Sequence, residues 1–260
     1  MKTNKYIAIS LFAASLMVTT ACKDSFLEVT NPSGEPLEEY YTTDGHIQEA
    51  LIAAYDPIHW PDWGLGQYNA LNIDAEIMGD NVWVGGANKA DMQNWHKLFN
   101  YEGDANNTLS SLWTVDYSGV QRWGKNLTAE NKKSYEMQAR ILRVYYYNNL
   151  WHYFGNIPFY LENLSSPYTA PQLKADEVYT KLIAELEEII NSNVLPMEWP
   201  SSQCGRVSQA MAYMMYAEIV MYQKDTSRYP KALEFMQKII GDKNYGLMDN
   251  YADIWKESGE

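Results

Sequence analysis

The sequence predicts an all-α fold of tetratricopeptide-like helical hairpins joined by long irregular loops. Apolar residues recur at helical spacing through most of the chain after residue 108. The ends of these periodic segments carry Ser, Pro and Gly, which are typical helix-boundary residues. No stretch of any length alternates apolar and polar residues as a half-buried strand would. With 260 residues, the chain is long enough for one large or two small domains.

The first 21 residues have the three parts of a secretory signal. Lys2 and Lys5 precede an uncharged apolar run from Tyr6 to Val18, and small residues stand before Cys22. The run is shorter than the about 20 residues that cross a bilayer. A cysteine directly after the cleavage site is the lipid acceptor of bacterial lipoproteins. We therefore predict that residues 1–21 are removed and that Cys22 is acylated, which anchors the chain to a membrane.

Two alternatives to this lipid anchor remain open. Thr19 occupies the position where a lipobox usually has an aliphatic residue, which leaves an ordinary secretory signal as one alternative. A disulfide between Cys22 and Cys204 in an oxidising compartment is the other. After the signal, we expect an extended tether over residues 22–43 and a helical domain over residues 44–260.

The net charge and the absence of common catalytic motifs in the sequence limit the classes of function that the chain can have. The chain has 33 acidic and 20 basic residues and a net charge of −13, which argues against nucleic acid as a partner because such binding depends on Lys and Arg. It contains no His-Glu-x-x-His pair, no Gly-x-Ser-x-Gly elbow and no glycine-rich phosphate loop. We expect no catalytic residues, no metal site and no cofactor. Carboxylates are plentiful, so a surface glycosidase stays open as an alternative.

The first helix is predicted to start after a cap at Thr43 or Asp44 and to end near Tyr55, before Pro57. Regular spacing then stops from residue 58 to residue 107, where Gly, Asn, Asp and Trp dominate and only a short helix near residues 68–78 is expected. A long irregular stretch within a compact domain is usually functional.

Periodic segments after this stretch predict five further helices. They span 109–129 and 135–154; the third is capped by Asp176, the fourth follows Ser208, and the last runs from Pro230 to Gly241. In the last two, small and large residues lie near the positions that tetratricopeptide hairpins use for packing. These residues are Tyr213, Tyr216, Ala217, Val220, Ala232, Met236 and Ile239. A generic antiparallel hairpin is the alternative.

Several segments occur in the order found in one known family. The most specific is Ala-Arg-x-Leu-Arg-x-Tyr-Tyr-Tyr, which begins at Ala139 and is followed by Phe-Gly-Asn-x-Pro ending at Pro158. Others are Cys22-Lys-Asp-Ser-Phe-Leu-Glu and the Tyr-Gly-Leu segment after Asn244. With them, the chain resembles the SusD/RagB family of Bacteroidota outer-membrane lipoproteins.

The resemblance implies a role in nutrient capture. Family members hold a glycan or oligosaccharide, or sometimes a peptide, above a SusC-like TonB-dependent transporter and do no chemistry on it. They face the cell exterior and extend well beyond the Tyr-Gly-Leu segment, so this chain corresponds to their N-terminal part. A helical adaptor lipoprotein that binds a protein and no glycan is the alternative.

In the family, the irregular region before the long helices helps to form the ligand face. Sugar binding needs a flat aromatic face together with amides or carboxylates for the hydroxyls. Candidates that meet this need are Asp80, Asn81, Trp83 and Trp95, with Trp60 and Trp63 nearby. The alternative for each of them is packing of the loop onto the scaffold.

Overall fold

A computed structural model describes residues 43–60, 71–104, 109–121, 132–162, 164, 166–243 and 245–256. Helices dominate these ranges, which confirms the all-α prediction. None of the helices in these ranges has both the length and the apolar character that a membrane span requires. The predicted signal, Cys22 and all of the tether except its last residue lie outside the described residues. The lipid anchor and the domain boundaries therefore stay predictions.

The first helix follows its sequence signals. Helix α1 spans Asp44–Tyr55, and the Thr43 hydroxyl caps it by accepting a hydrogen bond from the His46 amide at 3.3 Å. A 3-10 helix continues it over Asp56–His59. The apolar face of α1 is buried, as its spacing predicts.

The irregular stretch contains more helix than its sequence predicts. Helix α2 spans Leu71–Met78, in line with the expected short helix, and helix α3 spans Gln93–Phe99, which was not predicted. Only Leu98 of α3 is buried, so its seven residues give no apolar periodicity. Leu98 packs with Ile77 and Val84 in a cluster that is separate from the main core, and we call it the small cluster.

The next two helices build the centre of the main core. Helix α4 spans Ser110–Gln121, and positions 122–131 lie outside the described residues. Helix α5 spans Lys132–Phe154 and ends at Gly155, whose φ of +65° is the left-handed conformation that glycine adopts without strain. A short antiparallel pair follows, in which β1 (Ile157–Pro158) pairs with β2 (Gln172–Leu173).

Helix α6 spans Ala175–Ser192, and its start corrects one prediction. Asp176 lies within the first turn, and Lys174 occupies the cap position. Two other groups satisfy the first backbone amides: the Glu177 carboxylate accepts from the Lys174 amide at 2.8 Å, and the Asn156 side chain accepts from the Ala175 amide at 2.9 Å. The cap therefore depends partly on a residue 19 positions upstream, which local sequence cannot reveal.

The last hairpin matches its predicted boundaries. Helix α7 spans Gln209–Gln223 and is capped by Ser208, while α8 spans Tyr229–Ile240 with Pro230 in its first turn. The Tyr213 and Phe235 rings stack with centroids 4.5 Å apart between the two helices. Helices α5 to α8 each pack on the next one along the chain. This arrangement is the predicted succession of helical hairpins.

Candidate functional site

The loop between α2 and α3 carries the predicted ligand residues, and its start is fixed by the end of α2. The Gly79 amide donates to the Ala75 carbonyl at 2.8 Å, and the Asn81 amide donates to the Glu76 carbonyl at 3.0 Å. Between them, Asp80 has a φ of 62°, a left-handed conformation that Asp tolerates better than most residues. The chain therefore turns sharply away from the helix and leaves the Asp80 and Asn81 side chains exposed.

Trp83 is the most prominent side chain of this loop. Its indole is 78% exposed, and its ring contacts Phe99 in a T-shaped arrangement with centroids 4.9 Å apart. The next residue, Val84, is buried in the small cluster. Val84 thus anchors the loop while Trp83 keeps most of its surface in solvent, which is the arrangement that stacking on a sugar ring requires.

The second half of the loop is held by its own polar side chains. The Asp91 carboxylate accepts from the Ala87 amide at 3.1 Å, and the Asn88 side chain accepts from the Ala90 amide at 2.8 Å. Gly86 has a φ of +105°, a conformation that side-chain-bearing residues rarely adopt. These contacts give the loop a defined shape and use the Asp91 carboxylate for structure.

Tyr101 is a candidate that the sequence did not single out. It is 74% exposed, lies two residues after the end of α3, and its hydroxyl donates to the Met78 carbonyl at 2.7 Å. Its chain position, two residues after the Phe99 ring that Trp83 contacts, places it on the same α2–α3 unit as Trp83. A tyrosine in a glycine- and asparagine-rich stretch was the only available signal.

The other predicted tryptophans occupy different settings. Trp95 lies on α3 and is half-buried, and it packs against the small cluster on which the loop rests. Trp60 follows the 3-10 helix after α1, where its indole N–H donates to the Asp56 carboxylate at 2.8 Å. Trp63 lies outside the described residues. The structure thus gathers Asp80, Asn81 and Trp83 on one loop, and the ligand role of all six residues stays a prediction.

A buried polar cluster lies where α4 meets α5. Asp116 is 2% exposed, and its Oδ1 accepts from the Asn149 side chain at 3.3 Å. Its Oδ2 has no hydrogen-bond partner among the described residues. Burial raises the pKa of the Asp116 carboxyl to about 7, and the hydrogen bond from Asn149 opposes this effect. Burial, followed by the charges of Asp74 and Asp116, also raises the pKa of Tyr153.

This cluster is a poor candidate for glycoside hydrolysis. Hydrolysis needs two carboxyl groups that flank a bound sugar, and neither Asp116 nor Asp74 is open to solvent. In the part of the chain that the structure describes, no three His, Cys, Asp or Glu residues are grouped as a metal site. The exposed loop is therefore the better candidate for a binding site.

Comparison with known proteins gives one family-model match and several similar solved structures. Residues 86–201 match a SusD-like family model described as starch-binding and associating with the outer membrane. The chain is 65% identical to surface glycan-binding protein A from Bacteroides uniformis, with a TM-score of 0.78 over 84% of this chain and 50% of that one. No curated protein matches the chain.

Two further solved structures extend this result. Surface glycan-binding protein A from Bacteroides thetaiotaomicron, in complex with laminarihexaose, is 48% identical, with a TM-score of 0.76 over 84% of this chain and 47% of that one. The protein of the same name from Bacteroides fluxus is 31% identical, with a TM-score of 0.75 over 84% of this chain and 48% of that one. The chain thus spans about half the length of the solved structures that it matches.

Proposed function

The chain belongs to the SusD-like family, and from this premise we propose that it captures a glycan at the cell surface. The observation that carries this proposal is the exposed indole of Trp83, on a loop that also presents Asp80 and Asn81. An aromatic face covers the apolar C–H face of a sugar ring, while the amide and the carboxylate take its hydroxyl groups. Tyr101 provides a second exposed ring on the same α2–α3 unit.

The ligand that we propose is a β-linked glucan of the laminarin type. A 48%-identical relative was solved in complex with laminarihexaose, an oligomer of glucose. Glucose residues have equatorial hydroxyls and flat apolar faces, which suit a single exposed tryptophan flanked by polar groups. We propose that the protein binds this oligosaccharide without chemistry, since the Asp91 carboxylate accepts from the Ala87 amide and thereby shapes the loop.

Membership in the family supports two further parts of the proposal. Acylation at Cys22 anchors the chain in the outer membrane with the helical domain facing the cell exterior. The captured glycan then passes to a SusC-like TonB-dependent transporter, which the protein contacts through helix faces. Fatty-acid labelling of wild type beside Cys22→Ala tests the anchor, and co-purification from native membranes tests the transporter.

Isothermal titration with laminarihexaose tests glycan binding. Trp83→Ala should weaken the affinity about tenfold, because losing apolar burial against one sugar face costs roughly 1.5 kcal/mol at about 25 cal/mol per Å². Trp255→Ala is the matched control, since Trp255 is 76% exposed but lies in the 3-10 helix Tyr251–Trp255. Equal affinity of Trp83→Ala and wild type would refute the site.

The alternative functions predict different results with the same oligosaccharide. A helical adaptor that binds only protein should release no heat with laminarihexaose or with any member of a glycan panel. A surface glycosidase should shorten laminarihexaose during a long incubation, which chromatography of the sugar detects. Binding of intact laminarihexaose is the result that the proposal requires.

A further inference from the structure

A second concave site lies away from the loop, between α1 and the segment Cys204–Arg206. It has a volume of about 340 Å³, near the lower end of the range for small-molecule pockets. Its apolar side is formed by Leu51, Ile52 and Tyr55, and its polar side by His59, Cys204 and Arg206. We call it the Arg206 cleft. It shares no residue with the Trp83 loop.

The charge of this cleft is opposite to that of the whole chain. The chain has a net charge of −13, yet none of the residues that line the cleft is an acid. Arg206 makes no ion pair within the part of the chain that the structure describes. In contrast, the arginines Arg140, Arg143 and Arg228 pair with glutamates. A half-buried guanidinium without a carboxylate, beside an apolar wall, is complementary to an anion with an apolar body.

The Arg206 side chain is held in position by its neighbours. Its guanidinium carbon lies 5.7 Å from the centroid of the Trp199 ring. The next residue, Val207, is fixed on both sides: its amide donates to the Tyr55 hydroxyl at 2.9 Å, and its carbonyl accepts from the Trp199 indole at 2.9 Å. A cation whose backbone and side chain are both fixed loses little conformational freedom when it binds a ligand.

The Tyr55 hydroxyl, on the apolar side of the cleft, is held in place by hydrogen bonds. This hydroxyl also donates to the Gln138 side chain at 3.4 Å, so its direction is set. Burial is the main cause that raises the pKa of Tyr55, while the Val207 amide and then the Arg206 charge act to lower it. Arg206 and Tyr55 both line the cleft, so one ligand can contact both residues.

From this arrangement we propose that the Arg206 cleft binds a small carboxylate, with the carboxylate on the Arg206 guanidinium and its body against Leu51, Ile52 and Tyr55. Two sources share this chemistry: an aliphatic acid and an acidic sugar. The apolar wall favours the aliphatic acid, because Leu51 and Ile52 offer no partner for sugar hydroxyls. Hexanoate and glucuronate are the probes that distinguish the two sources.

Titration by NMR with hexanoate, hexanamide and glucuronate tests the proposal directly. Hexanamide has nearly the same shape as hexanoate but no charge, and we expect it to bind at least about tenfold more weakly, since a charged hydrogen bond is lost. Tighter binding of glucuronate than of hexanoate would assign the cleft to acidic sugars and support the carboxylate site. Equal binding of hexanoate and hexanamide, or no binding of either acid, overturns the proposal.

Arg206→Gln should weaken hexanoate binding about tenfold for the same reason. Lys243→Gln is the matched control, because it removes the same charge from an exposed residue that does not line the cleft. Loss of hexanoate affinity in both variants would show a general charge effect and would contradict the proposal. Binding of laminarihexaose should stay unchanged in Arg206→Gln, so failure of this proposal is distinguishable from failure of the glycan site.

Alkylation of Cys204 tests the proposal in the wild-type protein, without a substitution. The Cys204 thiol is exposed on the rim of the cleft, so its alkylation reports the local charge. The ratio of the iodoacetate rate to the iodoacetamide rate should be higher at Cys204 than at the free amino acid cysteine. Hexanoate should slow the reaction of Cys204 with both reagents. Salt should remove the iodoacetate advantage, since about 1 M salt screens charges beyond about 3 Å. The two rates are measured by mass spectrometry of the Cys204 peptide. A rate ratio at Cys204 equal to that of free cysteine overturns the proposal.

Discussion

Replacing Asp116 by Asn should stabilise the protein at alkaline pH and lose this effect in acid. In the folded state, the pKa of Asp116 is raised by burial to about 7, compared with the ordinary value of 3.8. The folded protein therefore holds a proton between about pH 4 and pH 7 that the unfolded chain releases. Stability rises as the pH falls through this window. Above pH 7 the buried carboxylate is charged in the folded state, and its burial then lowers the free energy of unfolding by the full amount.

The magnitude follows from the difference between the two pKa values. A pKa that rises from 3.8 to about 7 on folding changes the free energy of unfolding by about 4 kcal/mol, at about 1.36 kcal/mol per pKa unit. Asn cannot ionise, and its carbonyl can still accept the hydrogen bond from Asn149. The difference in unfolding free energy between Asp116→Asn and wild type should therefore change by about 4 kcal/mol in favour of the variant between pH 4 and pH 8.5.

Urea unfolding at four or five pH values measures this difference. Any cost of burying the Asn amide is the same at each pH, so the slope isolates the ionisation of Asp116. Asp249→Asn is the matched control, because it removes an exposed carboxylate. A difference between Asp116→Asn and wild type that stays constant from pH 4 to pH 8.5 would refute the assignment of a buried, ionising carboxyl.

Three further substitutions test the packing. Gly119→Ala should cost about 2 kcal/mol, since a Cβ at Gly119 would overlap the fully buried Tyr146 ring; a neutral result in urea unfolding would contradict this close approach. Glu185→Gln should cost about 3 kcal/mol because it removes the carboxylate that pairs with buried Arg143. Burial acts to raise the pKa of Glu185, but the interactions with Arg140 and Arg143 outweigh it, so that the pKa is lower than usual. The stability penalty of Glu185→Gln should therefore disappear only in strong acid, below this lowered pKa. Val84→Ala should make α2 and α3 amides exchange about tenfold faster and leave α7 unchanged, whereas a uniform effect would mean that the small cluster is not independent.

Helix boundaries with local causes could be predicted from sequence. Thr43 and Ser208 cap the helices that follow them through bonds spanning three residues, and Gly155 ends α5 in its own left-handed conformation. Each of these signals lies within one helical turn of the boundary that it sets. The start of α6 depends instead on Asn156, and α3 has a single buried residue. For these two helices, the sequence pattern predicts the start of α6 incorrectly and fails to predict α3.

The candidate site was predictable in composition but not in geometry. Exposed Trp83 beside Asn81 is what the sequence pattern indicates, and the structure places both on one exposed loop. The packing of Trp95 against the small cluster and the prominence of Tyr101 depend on how α2 meets α3, which no local pattern encodes. Asp116 did have a sequence signal: it lies four residues from both Leu112 and Val120, so helical spacing places it on the buried face of α4.

The division between the two clusters separates the helical scaffold from the loop that carries the proposed ligand site. The main core is formed by residues of α1, α4, α5, α6, α7 and α8, and hydrogen bonds such as that from the Tyr146 hydroxyl to the Ala54 carbonyl, at 2.6 Å, tie these helices together. The Trp83 loop rests instead on the small cluster, whose buried members are Ile77, Val84 and Leu98. Substitutions at exposed loop positions such as Asn81 and Trp83 remove no contact from the main core. Under the proposed function, glycan specificity can therefore change through this loop while the helical hairpins remain the same.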